Sequence, residues 1–318
     1  MAFIGIDTSN YTTSAAIYDG ESLPRNLGRP LHVEKGGRGF RQSDAVFAHI
    51  KNIPEVFAGL FSEYGGKIEA VGVSIAPRDA KGSYMPCFLP GAAVASALSS
   101  VLKVPLYEFS HQAGHVAAAA YGSGHGGILN SDFLAWHLSG GTSELLYVCP
   151  SEENIISCKR IGGTLDIAAG QVIDRAGVAL GLEFPCGKAL DNLSASFSGD
   201  VKPAELFVNG FEMSLSGLEN KVMEKISAGR PGAETARFLL SSLYSSICRV
   251  MKNALSKYPG LPVLCSGGVM SNSLIRENMR REFGALFAPP PLSADNAAGI
   301  SILAYLKYKK TKPEGGES

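Results

Sequence analysis

The chain has 318 residues, of which 45% are hydrophobic and 18% charged, with 29 basic and 29 acidic side chains. That length and polarity exclude wholesale disorder and allow either two domains or one large α/β unit. The zero net charge excludes a strongly basic nucleic-acid binder, so an RNA substrate would need a local patch or a helper protein.

Six cysteines are scattered without a CxxC pair. This is the usage of a reducing cytosol, not of a disulfide scaffold or a zinc knuckle. The first residues run straight into a strand with no basic stretch, and no apolar run is long enough to span a bilayer. The expectation is a cytoplasmic protein with no membrane segment.

In chain order, Ala2 to Asp7 reads as a strand, Asp7-Thr8-Ser9-Asn10 as a polar turn, and Thr13 to Tyr18 as the return strand. Asp7, Thr8 and Ser9 form either a phosphate turn or an ordinary hairpin tip. Leu31 to Arg41 is a basic, glycine-rich surface loop. Ser43 to Glu63 has helical spacing, with Val46, Ile50, Ile53, Phe57 and Leu60 as its apolar stripe and Pro54 inside. Ala70 to Ala76 is a buried strand, followed by a loop and a helix from Gly91 to about Leu102.

Val104 to Phe109 is the next strand, and Ser110 is placed to cap the helix that follows. His111 and His115, four residues apart, project from one face of that helix. Two such imidazoles can hold a transition metal if a third ligand arrives from elsewhere; otherwise they are polar residues at a helix start. The glycine-rich stretch 121–130 is the candidate domain boundary.

A second hairpin follows, with Ser139-Gly140-Gly141-Thr142-Ser143 as its turn. Its glycines leave backbone amides open to an anion. His137 faces a cleft or packs within its strand. Asp166 is placed to cap a helix from Ile167 to about Leu180, with Asp174 in mid-helix. The loop through Gly187 to Asp191 could accept a ribose. Thr235 to Lys257 is a long core helix. A strand to Cys265 ends in Ser266-Gly267-Gly268 before another helix, a common place for a nucleotide to meet a helix N-terminus. Asp295 and Asn296 precede the last helix, 297–309, and the polar tail 310–318 is expected to be disordered.

Seven segments carry a resemblance in order: GIDTS at 5–9, SHQAGH at 110–115, LSGGTSEL at 138–145, GGTLDIAAGQVIDRAG at 162–177, SLSGLE at 214–219, CSGGVMSN at 265–272 and ADNAAGIS at 294–301. With them the sequence resembles the TsaD (YgjD, Gcp) family of the actin-like ATPase superfamily, over about residues 3–305. The resemblance implies an α/β actin-like ATPase (ASKHA) fold with two similar lobes around a nucleotide cleft. The N-terminal lobe would be 1–128 joined by helix 296–309, and the C-terminal lobe 129–292.

The implied activity is transfer of a threonylcarbamoyl group from threonylcarbamoyl-AMP to the exocyclic amine of the tRNA adenine beside the anticodon. By resemblance, His111, His115 and Asp295 hold one divalent metal, iron or zinc. His137, Leu138, Ser139, Gly140, Gly141, Asp174, Gly187, Asp191 and Asn272 match the family's contacts to an ATP- or AMP-type nucleotide or carbamoyl-adenylate. The implied partners are tRNA and TsaB- and TsaE-like proteins, or a second copy of the chain.

Several acids of the family pattern are neutral here. The family hairpin reads TSCDETS where this chain has Thr8-Ser9-Asn10-Tyr11-Thr12-Thr13-Ser14. Ala113 replaces a glutamate able to close a capping box over Ser110, and Gln171 replaces another glutamate. The loop from Pro77 to Pro90 replaces a Gly-Pro-Gly loop. These departures suit a divergent paralogue, and two alternatives stand beside the tRNA transferase. One is a carbamoyltransferase or ATP-binding protein with another acceptor; the other is a nucleotide-binding scaffold for a true TsaD. A metalloprotease is excluded because HQAGH lacks the glutamate base of HExxH. A mononuclear His-His-Asp site likewise argues against a sugar kinase.

Overall fold

The structure, a computed structural model, describes residues 1–9, 11–31, 41–62, 64–288 and 296–312. The chain divides into two compact units. The first comprises residues 1–131, 149–159 and 294–318, and the second 132–148 and 160–293. The return of 149–159 to the first unit is a difference from the expected lobes. Lys307 Nζ donates to the carbonyls of Glu152 and Glu153 at 2.8 and 2.6 Å, and the Cys158 amide donates to Asp79 at 2.9 Å.

The first unit is built on a five-stranded sheet of β1 (Ala2–Ser9), β2 (Thr12–Tyr18), β3 (Arg25–Pro30), β4 (Ile68–Ala76) and β5 (Leu106–Ser110). Its order is β3-β2-β1-β4-β5. β1 and β2 form an antiparallel hairpin, while β4 and β5 run parallel to β1. Strand β1 includes Asp7, Thr8 and Ser9, so the expected polar turn is shorter than the sequence suggested. Asp7 and Thr8 are buried because their side chains find internal partners, described below.

The helices of this unit are α1 (Gln42–Phe61), α2 (Leu89–Leu102), α3 (His111–Gly122) and, from the chain's other end, α9 (Ala297–Thr311). Ile4, Ile6, Val71 and Val73 alternate onto one face and pack with Ala95 of α2. Each fully buried side chain of this kind contributes roughly 1.5–3 kcal/mol. Gly5 and Gly72, on the opposite face, admit α9 at backbone contact. A Cβ on Gly5 would lie 2.1 Å from the Ala297 carbonyl oxygen, and one on Gly72 would lie 2.9 Å from that of Ile300.

In α1 the buried stripe is Ala45, His49, Ile53, Val56 and Leu60. Ile50, expected inside, is exposed, because the helix is turned to place His49 against Thr13. Helix α9 runs to Thr311, so Lys310 and Thr311, expected in the tail, are helical. Most of the tail, and the loop 32–40, lie outside the described residues.

The second unit carries β6 (Phe133–Leu138), β7 (Ser143–Ser151), β8 (Ile155–Thr164), β9 (Val208–Asn209), β10 (Glu212–Met213), β11 (Val263–Ser266) and β12 (Leu286–Phe287). Their order is β12-β11-β6-β7-β8-β10-β9. Within it, β8-β7-β6-β11-β12 repeats the plan of the first sheet: an antiparallel hairpin flanked by parallel strands. Helices α4 (Ala169–Ala179), α5 (Gly187–Ala195), α6 (Ser216–Ser227), α7 (Gly232–Lys257) and α8 (Ser273–Phe283) enclose its core. Among the described residues, no helix is long and apolar enough to cross a membrane.

Candidate functional site

Ser110 ends β5 in extended geometry, and its hydroxyl accepts the Ala113 amide at 3.1 Å, which starts α3 as a capped helix. The cap fixes the first turn, so His111 and His115 sit one above the other, ring centroids 4.7 Å apart and planes at 74°. Gly114 lies between them on the side facing α9, where a Cβ would meet Ile300 Cδ1 at 3.0 Å and the Asn296 carbonyl oxygen at 3.2 Å. Close packing of α3 on α9 therefore brings Asn296, 185 residues downstream, onto His111. The Asn296 amide nitrogen is 2.8 Å from Nδ1 and 3.0 Å from Nε2.

Behind His111 stands Asp7, only 1% exposed. Its Oδ2 lies 2.8 Å from His111 Nδ1 and accepts the Ser74 hydroxyl at 2.6 Å, while Oδ1 accepts the Ser9 amide at 3.0 Å. Burial works against ionisation of this carboxyl. The charge and hydrogen bond of His111, with the bonds from Ser74 and Ser9, outweigh it and hold the group below its ordinary value. Thr8 is also consumed internally, its hydroxyl accepting the Gly91 amide at 3.2 Å. Of the three residues read as a phosphate turn, Ser9 alone is partly open.

His49, which the sequence reading passed over, is fully buried beside this network, its Nδ1 2.8 Å from the Thr13 hydroxyl. Burial pushes its imidazole toward the neutral form, against the opposing pull of Asp7 and the Ser9 backbone.

The third expected metal ligand, Asp295, lies outside the described residues. Among the described residues, no group of three His, Cys, Asp or Glu side chains is gathered as a metal cage. The donor set nevertheless fits a metal. Two facing imidazoles, one backed by a carboxylate, are donors of the kind that divalent transition metals take. The residue after Asp295 touches one of the imidazoles, and the buried Asn296 Oδ1 has no partner among the described residues.

In the second unit the expected nucleotide residues lie at the end of β6 and its turn, in α4, at the start of α5 and before α8. The turn Ser139–Gly141 lies against the N-terminus of α4. A Cβ on Gly170 would come 2.5 Å from Gly140 Cα and 2.6 Å from the Ser139 carbonyl oxygen, and the Ala169 amide donates to Ser143 Oγ at 2.9 Å. Among the described residues, nothing lies within 4 Å of a Cβ built on Gly140 or Gly141, so none of them covers that side of the turn. Such a turn over a helix N-terminus offers backbone amides to an anion.

Gly267, at φ +94°, lets the β11 turn pass 2.2 Å, measured from its absent Cβ, from the Leu138 carbonyl oxygen. His137 Nδ1 meets the Ser266 hydroxyl at 3.0 Å, a buried strand-end contact. Asn272 caps α8 by accepting the Ile275 amide at 3.2 Å. Asp191 accepts both the amide and the hydroxyl of Ser273, at 2.9 and 2.8 Å. Asp174 accepts the Cys186 amide at 2.9 Å, which fixes the loop leading to Gly187 at the start of α5.

Asp166 does not cap α4, whose N-cap position is Ala168. It accepts the Ser214 hydroxyl at 2.6 Å and the Leu215 and Ser216 amides at 2.9 and 3.1 Å, so it caps α6 instead. Gln171, in the place of a family acid, accepts the Ala168 amide at 3.3 Å and so braces the start of α4.

Two hairpin-led α/β sheets of one plan define the actin-like ATPase fold. The fold is shared, at 16% identity and a TM-score of 0.58, with component A of the (R)-2-hydroxyglutaryl-CoA dehydratase of Acidaminococcus fermentans, over 97% of this chain and 99% of that one. The profile of the TsaD family, tRNA N6-adenosine threonylcarbamoyltransferase, matches residues 28–302. A tRNA N6-adenosine threonylcarbamoyltransferase of Sulfurihydrogenibium sp. is 30% identical, over 99% of this chain and 92% of its own length. Another from Pyrobaculum calidifontis is 28% identical over 99% and 91%. The chain belongs to the TsaD family. That membership implies a metal and a nucleotide in general terms, and tRNA as the class of substrate.

Proposed function

We propose that this protein transfers a threonylcarbamoyl group from threonylcarbamoyl-AMP to the exocyclic amine of the tRNA adenine beside the anticodon. The observation that carries this reading is the His111–His115 pair on α3, with ring centroids 4.7 Å apart and Asp7 behind it, in a chain of the TsaD family. His111 and His115, with Asp295, would hold one iron or zinc ion. When bound, that ion supplies Lewis-acid polarisation of the carbamoyl carbonyl.

The open turn at Ser139, Gly140 and Gly141, over the α4 N-terminus, would receive the adenylate phosphate. Its amides and the helix end stabilise the negative charge of departing AMP. In the transfer the adenine amine forms a bond to the carbamoyl carbon, the bond from that carbon to the phosphate oxygen breaks, and the amine gives up a proton. Asn272 and Asp191 hold the α8 N-terminus in fixed geometry, and Asp174 holds the loop before Gly187. The zero net charge favours TsaB- and TsaE-like helpers, or a second copy, in presenting the tRNA, in the cytoplasm.

A second reading, carbamoyl transfer to another acceptor, is favoured by one observation. The family's acidic positions at 11, 12, 113 and 171 are neutral here, and two of these residues have structural employment: Ala113 is 1% exposed and Gln171 braces α4. The deciding experiment is metal analysis of the wild type and Asp295→Ala, with a transfer assay on threonylcarbamoyl-AMP and unmodified tRNA. Metal near one equivalent, lost in the variant, with modified adenine as product, is the expected result. Metal-free wild type sinks the metal assignment. Metal and adenylate bound with tRNA unmodified moves the second reading ahead, and nucleotide binding without turnover favours the scaffold.

A further inference from the structure

We propose that Asp7 is a positioning residue, which locks the His111 imidazole in the tautomer that carries its proton on Nδ1 and keeps the Nε2 lone pair for a metal. The inference rests on the metal reading of His111 and His115.

The Asp7 carboxylate is acceptor-only when ionised, and all its donors are fixed. The Ser9 backbone amide holds Oδ1, and Ser74 and His111 share Oδ2. The ring nitrogen that faces this acceptor-only carboxylate at 2.8 Å is one that carries a proton, so in the neutral ring, the form that binds a metal, the proton sits on Nδ1. The second nitrogen, Nε2, then carries the lone pair. The Asn296 amide nitrogen lies beside both ring nitrogens, 2.8 Å from Nδ1 and 3.0 Å from Nε2, so it is Asp7 that decides between them. Donating the far ring N–H to a carboxylate sets both the ring's tautomer and its orientation at metal sites. Asp7 is suited to hold a ring still: it lies in β1, its neighbours Ile6 and Thr8 are buried, and Ser74 braces it from β4.

The geometry also predicts what an isosteric amide does. In Asp7→Asn, one side of the new group is an oxygen and the other an NH2. The Ser9 N–H is a backbone donor that cannot turn round, so it takes the oxygen. The NH2 is thereby aimed at His111, where it donates to Nδ1 and forces the proton onto Nε2. The variant should fold, because shape is kept and the Ser74 hydroxyl can rotate, yet it should present a blocked nitrogen to the metal.

The test uses the full chain, metal-free, with 15N-labelled histidine. Nitrogen shifts and two-bond ring couplings report the tautomer, and loss of one ring's signals in His111→Gln assigns His111. Zn2+ and Fe2+ titrations of wild type and Asp7→Asn follow. The expected results are Nδ1–H in the wild type, Nε2–H in Asp7→Asn, and metal affinity lower by about 10- to 100-fold in the variant. Nε2–H in the wild type overturns the proposal, before any substitution and whether or not Asp7→Asn folds. An unchanged tautomer, or affinity within about twofold, in a folded Asp7→Asn also overturns it. Wild type with the Nδ1–H tautomer that binds neither ion sinks the metal reading and leaves the tautomer lock standing, so the two failures are distinguishable.

Discussion

Gly299 and Gly114 meet backbone to backbone: a Cβ on Gly299 would lie 1.8 Å from the Gly114 carbonyl oxygen. No side-chain movement relieves that approach, since both atoms belong to helix backbones. Gly299→Ala must therefore push α9 away from α3. Overpacking of this kind costs about 1–3 kcal/mol, and more where backbone has to shift. The expected outcome is a lower denaturant midpoint together with weaker metal binding, because the same shift carries Asn296 away from His111. An unchanged midpoint would mean that the helices are less tightly pressed than described.

Restoring the family's glutamate at position 113 should harm this chain. Ala113 is 1% exposed, and its amide is already satisfied by Ser110. A carboxylate introduced there is desolvated, at a cost of roughly 2 kcal/mol or more. Thermal unfolding of Ala113→Glu should show a clear drop in Tm. A variant as stable as the wild type would show that the helix face has kept room for the acid.

The turn at 139–141 can be disturbed from outside its own sequence. In Gly170→Ala the new methyl group meets the backbone of Ser139 and Gly140 at 2.6 and 2.5 Å. The turn must lift from the α4 N-terminus, and the amides it offers a phosphate lose their aim. Calorimetric titration with AMP or ATP should show affinity reduced about tenfold or more, as expected when an interaction of about 1.4 kcal/mol is lost. Binding at wild-type strength would remove the turn from the nucleotide reading.

Asp166 gives the fold a specific acid sensitivity. Burial raises its carboxyl, but the bonds from Leu215, Ser214, Ser216 and Ile167 prevail and hold it well below the usual carboxylate range. A group depressed on folding stabilises the native state above its unfolded pKa, near 4, and loses that contribution as pH falls further. Removing a helix cap costs about 1 kcal/mol. The stability difference between wild type and Asp166→Ala should be full at neutral pH and shrink steadily below about pH 4. A difference that grows on acidification would contradict the sign.

The sequence made the strands, hairpins and capped helices legible because each depends on neighbours in the chain. Ser110 capping α3, the turn at 139–141 and the strand before Gly267 all follow from local patterns. Pairings made by the sheets were hidden. Asp7 reads as part of a polar turn because nothing nearby reveals that β4 brings Ser74, and the start of α3 brings His111, to the same carboxylate oxygen. Asp166 was assigned to the nearest helix by a local rule, whereas its partners begin at Ser214, 48 residues on. His49 was invisible because a histidine in an apolar stripe gives no signal until Thr13 is seen opposite it. Ile50 was misplaced by the same rotation of α1.

The glycine contacts under α9 also set an order of events. Asp7 is made among the first residues and the His111–His115 pair a third of the way along, yet Asn296 arrives only with the final helix. A growing polypeptide can pair β1, β2, β4 and β5 before α9 is made, but the groove over Gly5, Gly72 and Gly114 stays unfilled until α9 arrives. The corner around His111 is therefore completed only when α9 docks. A chain cut short before residue 296 lacks α9, and with it the Asn296 contact to His111.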